Sequence, residues 1–388
     1  MAGPGAGARR GGEARPFWHV AAACLCVQLC FGAYPVIVQV STDKVPFNLA
    51  CFCLYRDLAV APLMLAAARV AEGVALRPRA DEVPTFAVLG ACGIGVQQIC
   101  FILGAHYASP TVASIMQNAT PCWATLFSIA LRNEPAPDYR RASGLLKLAG
   151  MALAVGGAVA MNLGRREQHA PEQLGGASTQ SLGVAFLAVN TALTGFYLAF
   201  QKRAVFAARE SRWRDLPVHV TAWAYAFGAA FAGATALLGW LFELELLEFA
   251  HGSPTATWRL PRQALLPLAF AVFFTSGLAW GLLSFANKNA PSSLVSAFWP
   301  LQVPVTLLLS AAAGLGTITA PEALGGVLVV AGLLAVSASA LLAPQAATTA
   351  TTTTTRTRAD SEAGPPVGLA ADDAAEATPL LSSSLPPS

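Results

Sequence analysis

The sequence AHYASPTV at residues 105–112 is matched by ANKNAPSS at residues 286–293. Each copy joins two apolar runs and is followed by a proline-interrupted run and then by a run rich in Gly, Ala, Val and Leu. The chain therefore contains an internal repeat. If each copy holds five membrane spans, an odd number, the copies must cross the membrane in opposite orientations, as in many secondary transporters.

The composition excludes an ordinary soluble enzyme. Of the 388 residues, 55% are apolar and 12% are charged, and the mean hydropathy is +0.54. So few ionisable groups cannot cover a soluble globule of this size. The net charge of +3 is scattered between apolar runs, so no basic stripe predicts a nucleic-acid partner. The expected surroundings are a lipid bilayer.

Ten apolar runs are each long enough to cross a bilayer, which takes about 20 residues. The runs are 17–40, 46–70, 84–106, 110–131, 143–163, 181–201, 217–242, 264–287, 292–314 and 321–343. The predicted fold is an all-α membrane protein of ten transmembrane helices, arranged as two inverted five-helix repeats at 17–163 and 181–343 with a loop at 164–180. Residues 1–16 and 344–388 have compositions that cannot bury a core, so both segments are expected to be disordered.

The basic residues predict the orientation of the chain. With ten spans, seventeen Lys and Arg residues lie on the side of the termini and five on the other side. Because cytoplasmic loops carry the excess of positive charge, both termini are predicted to be cytoplasmic. The target membrane (plasma membrane or vacuolar/endomembrane) and the oligomeric state remain open. In the tail, Glu376, Leu380 and Leu381 fit an acidic dileucine signal for trafficking adaptors, although the pattern is short enough to arise by chance.

The segment AHYASPTVASIMQNATP at residues 105–121, followed by Arg132-Asn133-Glu134, resembles the first repeat of EamA-type transporters. Supporting segments are LYR at 54–56, TAW at 221–223, SGLAW at 276–280 and PLQ at 300–302. Over residues 17–343 the chain is similar to the plant drug/metabolite transporters of the walls-are-thin-related or UMAMIT-like group. The resemblance implies a ten-helix carrier with cytosolic termini that moves small organic metabolites, such as amino acids or auxin-like acids. Two features depart from the family: Trp299 replaces an Asn, and no acidic residue closes the ninth span.

Arg56 is a charged residue in the middle of the second span. It lies ten residues into the run, about 15 Å along a helix and therefore near the bilayer midplane. Such residues usually face the bundle interior, either paired or lining a pathway, so Arg56 is a candidate for substrate binding or for a structural ion pair. Asp57 is adjacent, but successive helical residues do not face each other, which predicts separate partners on other helices. Asp57 is a candidate for a proton-sensitive role.

Prolines interrupt the fourth and ninth spans at corresponding places. Each proline frees a carbonyl group, which is tolerated in a membrane only where protein or water satisfies it. Paired helix breaks of this kind indicate a binding site near the midplane. The prolines at these breaks are Pro121, Pro300 and Pro304. Together with Arg56, the polar and aromatic residues expected to bind substrate are Gln97, Asn118, Trp123, Tyr197, Trp280, Trp299 and Gln302. Packing between helices is the alternative role for these side chains.

Other functional classes fit the sequence less well. A nucleotide-sugar or other polar-metabolite exchanger of the same superfamily should present more basic residues than Arg56 alone. A membrane receptor or scaffold has no need of broken helices at the midplane. Because no zinc-protease motif, nucleophile elbow or phosphate-binding loop is present, no enzyme activity, metal or cofactor is predicted. The leading prediction is a secondary carrier that binds a small-molecule substrate and works by alternating access.

Overall fold

The computed structural model describes residues 17–42, 48–108, 110–138, 140–168, 177–242, 258–315 and 318–342. The helices are α1 Phe17–Thr42, α2 Leu49–Glu72, α3 Val83–Gly90, α4 Val96–Ala108, α5 Pro110–Gln117, α6 Thr120–Ala130, α7 Ala142–Gln168, α8 Ala177–Gln201, α9 Pro217–Leu241, α10 Leu265–Phe270, α11 Ala279–Asn289, α12 Ser292–Ala297, α13 Gln302–Ala312 and α14 Ala320–Leu342. Every regular element in these ranges is helical, so the described part of the chain is all-α.

Nine helices within the described ranges are long and apolar enough to cross a membrane. They comprise Phe17–Ser41, Leu49–Glu72, Val83–Ala108, Ala142–Met161, Gln180–Phe206, Pro217–Leu241, Arg262–Asn289, Ser292–Ala312 and Ala320–Ser339. Span numbers refer throughout to the ten runs predicted from the sequence. The fourth run differs from the others because α5 and α6 are separated by a turn at Asn118 and Ala119. Each piece is too short to count as a span of its own. The terminal segments that the sequence predicts to be disordered, and the dileucine pattern in the second of them, lie outside the described residues.

π-helical turns interrupt two of the long helices at similar positions. The first, Ala91–Gly95, joins α3 to α4, and the second, Ala271–Leu278, joins α10 to α11. A third π-helical turn, Lys202–Phe206, ends the span that begins with α8. π-helical turns are rare and often occur at functional sites, so the segments around them are candidates for the functional site.

The helices pack in a pattern that relates the two halves of the chain. Helix α1 contacts α11 and α13, and α8 makes the equivalent contacts with α4 and α6. Helix α2 packs on α9, and α7 packs on α14. In the last pair, Gly150 lies against Gly332 and Gly157 lies against Gly325, so that a Cβ atom at any of these positions would collide with the facing helix. Small residues allow this close approach of two membrane helices.

Polar side chains fix the helix ends next to the core. The carboxylate of Glu72 accepts hydrogen bonds from the backbone N–H groups of Val218, at 2.8 Å, and His219, at 3.1 Å. These N–H groups lie in the first turn of α9, where no carbonyl of the same helix can accept them. The ammonium group of Lys202 donates to the carbonyl oxygens of Asn287 at 2.8 Å and Ala290 at 2.9 Å, at the end of α11. These contacts join the second span to the seventh and the sixth to the eighth.

Candidate functional site

Arg56 and Asp57 bind each other. The Nε atom of Arg56 donates to Oδ1 of Asp57 at 2.8 Å, and Nη2 lies 2.7 Å from the same oxygen. The expectation of separate partners on other helices is therefore wrong for Asp57. The long side chain of Arg56 reaches the carboxylate of the next residue on the same helix. The direction of the Cβ vectors alone does not reveal this contact. Arg56 also reaches another helix, because Nη1 lies 3.5 Å from Oε1 of Gln98 on α4.

The ion pair is buried. The side chain of Arg56 is 13% exposed and that of Asp57 is 1% exposed. Tyr225, on α9, lies near both charges, and Tyr34, on α1, lies near Arg56. Two opposite charges held together cost much less in a membrane interior than one charge alone. The second span therefore carries a neutral pair at a place where contacts from several helices converge.

A row of polar side chains on α8 faces the third and fourth spans. The side chain of Gln97 donates to Oγ1 of Thr194 at 3.2 Å, and the amide of Asn190 donates to the carbonyl oxygen of Gln97 at 2.7 Å. Gln117, which precedes the turn between α5 and α6, donates to Oδ1 of Asn190 at 2.7 Å. Gln97 therefore lies within a network that links the third, fourth and sixth spans.

Three aromatic rings lie next to this row. The ring of Trp280 is 5.2 Å from that of Tyr197 and 6.2 Å from that of Tyr225, in edge-to-face geometry in both cases. Such arrangements are favoured by the charge distribution of aromatic rings. The hydroxyl of Tyr197 accepts a hydrogen bond from Gln201 at 2.9 Å. Because Tyr225 lies near Arg56, the three rings extend from the neighbourhood of the ion pair to Tyr197 and Trp280.

Other residues of the predicted site lie at the two helix interruptions. Pro121 lies in the first turn of α6, and Pro300 lies in a short 3₁₀ turn, Trp299–Leu301, between α12 and α13. At both positions the missing proline N–H falls at a helix start, where it has no intrahelical acceptor to bond. Asn118 is buried at the first interruption. Pro304 is buried in the first turn of α13, and Gln302 is half-buried.

The two predicted tryptophans near the interruptions pack against different helices. Trp123 stacks on Phe127 with ring centres 6.0 Å apart, and it lies where a Cβ atom on Gly195 would collide with it. Trp299 is buried, and its ring lies 5.8 Å from that of Phe31 on α1. Trp123 thus lies with the sixth span, whereas Trp299 lies with the first span.

A second polar cluster joins the two halves at helix ends, and we call Glu134, Lys147, Lys202 and Ser293 the Glu134 cluster. Glu134 accepts the backbone N–H of Ser293 at 3.0 Å, binds the hydroxyl of Ser293, and pairs with Lys147 at 3.1 Å. Lys147 also donates to the Ser293 hydroxyl at 2.7 Å. Lys202 interacts electrostatically with Glu134. The cluster ties the fourth and fifth spans to the start of the ninth.

Sequence reasoning missed several residues of these networks. Asn190, Thr194, Tyr197 and Gln201 are all buried in the structure, and only Tyr197 was singled out. Their spacing of four, three and four residues is the helical period of a single face, so a search for polar residues at that spacing would have found the row. No comparable signal points to Tyr225, because a tyrosine in an apolar run is equally compatible with simple packing.

Comparisons with known proteins agree with the resemblance described from the residues. Residues 18–162 match the EamA-like transporter family. WAT1-related protein At3g18200 of Arabidopsis thaliana is 25% identical over 301 residues, covering 75% of this chain and 73% of the relative. WAT1-related protein At3g28050 of the same plant is 23% identical over 232 residues, covering 57% of each chain.

The fold is also found among solved structures. One protein crystal structure superposes with a TM-score of 0.62 at 18% identity, covering 85% of this chain and 100% of the other. Identity this low bears on the fold alone. Together with the nine apolar helices of the described ranges, these findings support the resemblance seen in the residues: the chain is a multi-pass membrane protein with an EamA-like domain at residues 18–162, and it is similar to the plant WAT1-related proteins.

Proposed function

We propose that the chain is a secondary carrier of small organic metabolites, namely amino acids or auxin-like organic acids. In this proposal it crosses the membrane ten times as two inverted five-helix repeats, which rock against each other about a site near the midplane. The observation that carries the proposal is the symmetric pairing of helices. The contacts of α1 with α11 and α13 have their counterparts in those of α8 with α4 and α6.

The positions of the helix irregularities support the same arrangement. A two-fold relation that exchanges the first span with the sixth also exchanges the third with the eighth and the fourth with the ninth. The third and eighth spans both contain π-helical turns, and the fourth and ninth are both interrupted. Paired irregularities near the midplane are expected where two repeats build one binding site.

The side chains that we propose for the substrate site favour a small substrate that carries a carboxylate and an apolar body. Arg56 supplies the guanidinium group, Gln97 and Gln98 supply amides, and Tyr197 and Trp280 supply aromatic surface. A guanidinium group binds carboxylates through parallel hydrogen bonds. A nucleotide sugar is a poorer candidate, because a diphosphate carries more negative charge than the single guanidinium group of Arg56 can balance.

For the orientation, we propose that both termini lie in the cytoplasm, on the basis of the excess of basic residues on that side. A tag at the C-terminus should then be labelled only after the plasma membrane is permeabilised. Labelling of the tag in intact cells would show that the C-terminus lies outside the cytoplasm and would refute this orientation.

The carrier proposal is tested with the purified full-length chain in proteoliposomes. Uptake of labelled amino acids and organic acids should exceed uptake into protein-free liposomes, should saturate, and should be stimulated by unlabelled substrate inside the vesicles. Stimulation from the opposite side is a property of carriers and not of receptors or scaffolds. If neither class of compound is taken up above the protein-free level, the proposal is refuted.

A further inference from the structure

One oxygen of the buried Asp57 carboxylate lacks a hydrogen-bond partner among the residues that the structure describes. Both contacts from Arg56 converge on Oδ1. The other oxygen, Oδ2, is buried, and no side chain or backbone group in the described ranges donates a hydrogen bond to it. A guanidinium group binds a carboxylate best through two parallel hydrogen bonds to two oxygens. The observed pair does not use that geometry, so a substrate carboxylate can make a better complex with Arg56 than Asp57 does.

Asp57 loses its counter-ion when a substrate carboxylate binds Arg56. In the structure, Arg56 and Asp57 sum to zero in a buried position. A substrate carboxylate on Arg56 would add an anion and would leave Asp57 without its cation. A buried carboxylate without a partner is very unfavourable and is relieved by protonation. The unpartnered Oδ2 is the atom available to receive that proton.

We propose that Asp57 is a proton-binding site, and that each carboxylate that binds Arg56 is accompanied by one proton on Asp57. This inference rests on the carrier function proposed above. On binding, the guanidinium group exchanges Oδ1 of Asp57 for the oxygens of the substrate, and an O–H bond forms at Asp57 with a proton from the water on the entry side. On release, both changes are reversed, and the proton leaves on the exit side with the substrate.

The groups around Asp57 single it out as the proton carrier. Tyr225 on α9, Tyr34 on α1 and Cys53 on α2 are the titratable side chains that interact with the pair. Helix α4 contributes the amide of Gln98, and the π-helical turn before α11 contributes Ser276, which hydrogen-bonds Tyr225. Phenols and thiols stay protonated near neutral pH, and guanidinium groups stay charged. Among these groups, Asp57 is therefore the one able to exchange a proton.

Two classes of substrate should differ in the net charge that each carries across the membrane. A monocarboxylate that moves with one proton carries no net charge across the membrane. A zwitterionic amino acid that moves with one proton carries one positive charge. Binding of proton and substrate at one site is reciprocal, so that each raises the affinity for the other. A proton gradient should therefore drive accumulation of both classes, but membrane potential should affect only the amino acid.

The test uses proteoliposomes with the full-length chain and two probes of the same size. Phenylpyruvate is an aromatic monocarboxylate that stays ionised at the assay pH and therefore crosses bare lipid slowly, and phenylalanine is its zwitterionic counterpart. With the interior one pH unit more alkaline, a probe that moves with one proton should accumulate up to about tenfold at equilibrium when no net charge moves. A potential set by potassium and valinomycin then distinguishes the two probes.

Variants locate the proton site. Asp57→Asn fixes the neutral form, so it should equilibrate phenylpyruvate across the membrane but should not accumulate it. The matched control is Glu322→Gln, because Glu322 is also 1% exposed but its Oε2 is bonded to the backbone N–H of Thr319 at 2.8 Å, at the start of α14. This control should accumulate phenylpyruvate like the wild type. If Asp57→Asn does not reach the membrane, Asp57→Glu, which keeps the carboxyl group, must retain gradient-driven accumulation.

The possible results are distinct. Wild-type uptake that ignores the pH gradient, accumulation that persists in Asp57→Asn, or equilibration without accumulation by Asp57→Glu would each overturn the proton site and leave the carrier function intact. Absence of saturable uptake of both probes and of the wider panel of metabolites would instead refute the carrier function. Accumulation that is lost in Asp57→Asn and kept in Glu322→Gln is the expected outcome.

Discussion

Oε1 of Glu134 accepts a hydrogen bond from the backbone N–H of Ser293 at 3.0 Å, across 159 positions of sequence. This bond connects the end of the fourth span with the start of the ninth. Lys147 binds the same carboxylate at 3.1 Å and extends the connection to the fifth span. If the halves rock against each other, contacts of this kind must break whenever that side of the carrier opens.

The first prediction is that Glu134 and Lys147 are energetically coupled. Glu134→Gln and Lys147→Met should each lower the melting temperature in detergent, and the double variant should lose less than the sum, with a coupling energy of about 0.5–3 kcal/mol. The control is Asp138→Asn, because the Asp138–Arg141 pair is largely exposed and exposed pairs contribute little. Additive losses would show that Lys147 stabilises the protein without Glu134.

The second prediction concerns the guanidinium group of Arg56. Arg56→Lys should insert into the membrane, but its ammonium group is a point charge that cannot form two parallel bonds. Loss of a charged hydrogen bond costs about 1.5–3 kcal/mol, so uptake of phenylpyruvate at low concentration should fall by at least about tenfold. Wild-type uptake kinetics in Arg56→Lys would refute bidentate recognition.

The absence of the Arg56 side chain should have a different effect. Arg56→Ala should also lower the amount of protein in the membrane, because it strands the buried carboxylate of Asp57. Quantitative immunoblotting of membranes measures that loss. If Arg56→Lys and Arg56→Ala are both missing from the membrane, the role of Arg56 is structural, and substrate must be held elsewhere.

The third prediction is that Asn118 and Gln302, next to the two helix interruptions, contact the substrate. Asn118→Ala and Gln302→Ala should raise the KM for uptake several-fold while protein levels stay near normal. The measurement is uptake kinetics, corrected for the amount of protein in the vesicles. If the kinetics of both variants are unchanged, these amides serve only to pack the helices.

The fourth prediction concerns Gly93, in the first π-helical turn. A Cβ atom at this position would collide with the ring of Tyr197, and overpacking of this kind costs about 1–3 kcal/mol. Gly93→Ala should therefore lower the melting temperature and impair uptake. Gly156→Ala is the matched control, because within the described residues no atom from another helix lies within 4 Å of its Cβ position. Equal behaviour of the two variants would contradict the close contact with Tyr197.

The fifth prediction concerns the loop ahead of α3. Arg212 binds Glu82 through Nε to Oε1 at 2.8 Å and through Nη2 to Oε2 at 2.6 Å, and the hydrogen bonds from Arg212 lower the pKa of Glu82 from 4.5 to about 2. Since the pKa is depressed in the folded state, the stabilisation is complete above pH 4.5 and is lost as the pH falls towards 2. Glu82→Gln should lower the melting temperature at pH 7, and the difference from wild type should shrink below pH 4.5. A difference that is independent of pH would contradict the prediction.

The sequence alone determined the fold class and the position of the apolar helices. Hydropathy depends only on residues that are close in sequence, so nine of the ten predicted runs could be located in it and appear as long apolar helices in the described ranges. Pro121 and Pro300 predict the interruptions of the fourth and ninth spans, because proline lacks the N–H group that would bond to the carbonyl group one helical turn earlier.

Only the tertiary structure decided which side chains meet. The bond between Glu134 and Ser293, the aromatic contact of Tyr197 with Trp280 and the polar row on α8 depend on how each helix is rotated towards its neighbours, which residues distant in sequence determine together. The pairing of Arg56 with Asp57 was likewise not readable from the sequence, although the two are adjacent. That pairing depends on the rotamer of a long side chain, and the rotamer is chosen by the surrounding helices, because a lone charge among them would be too costly.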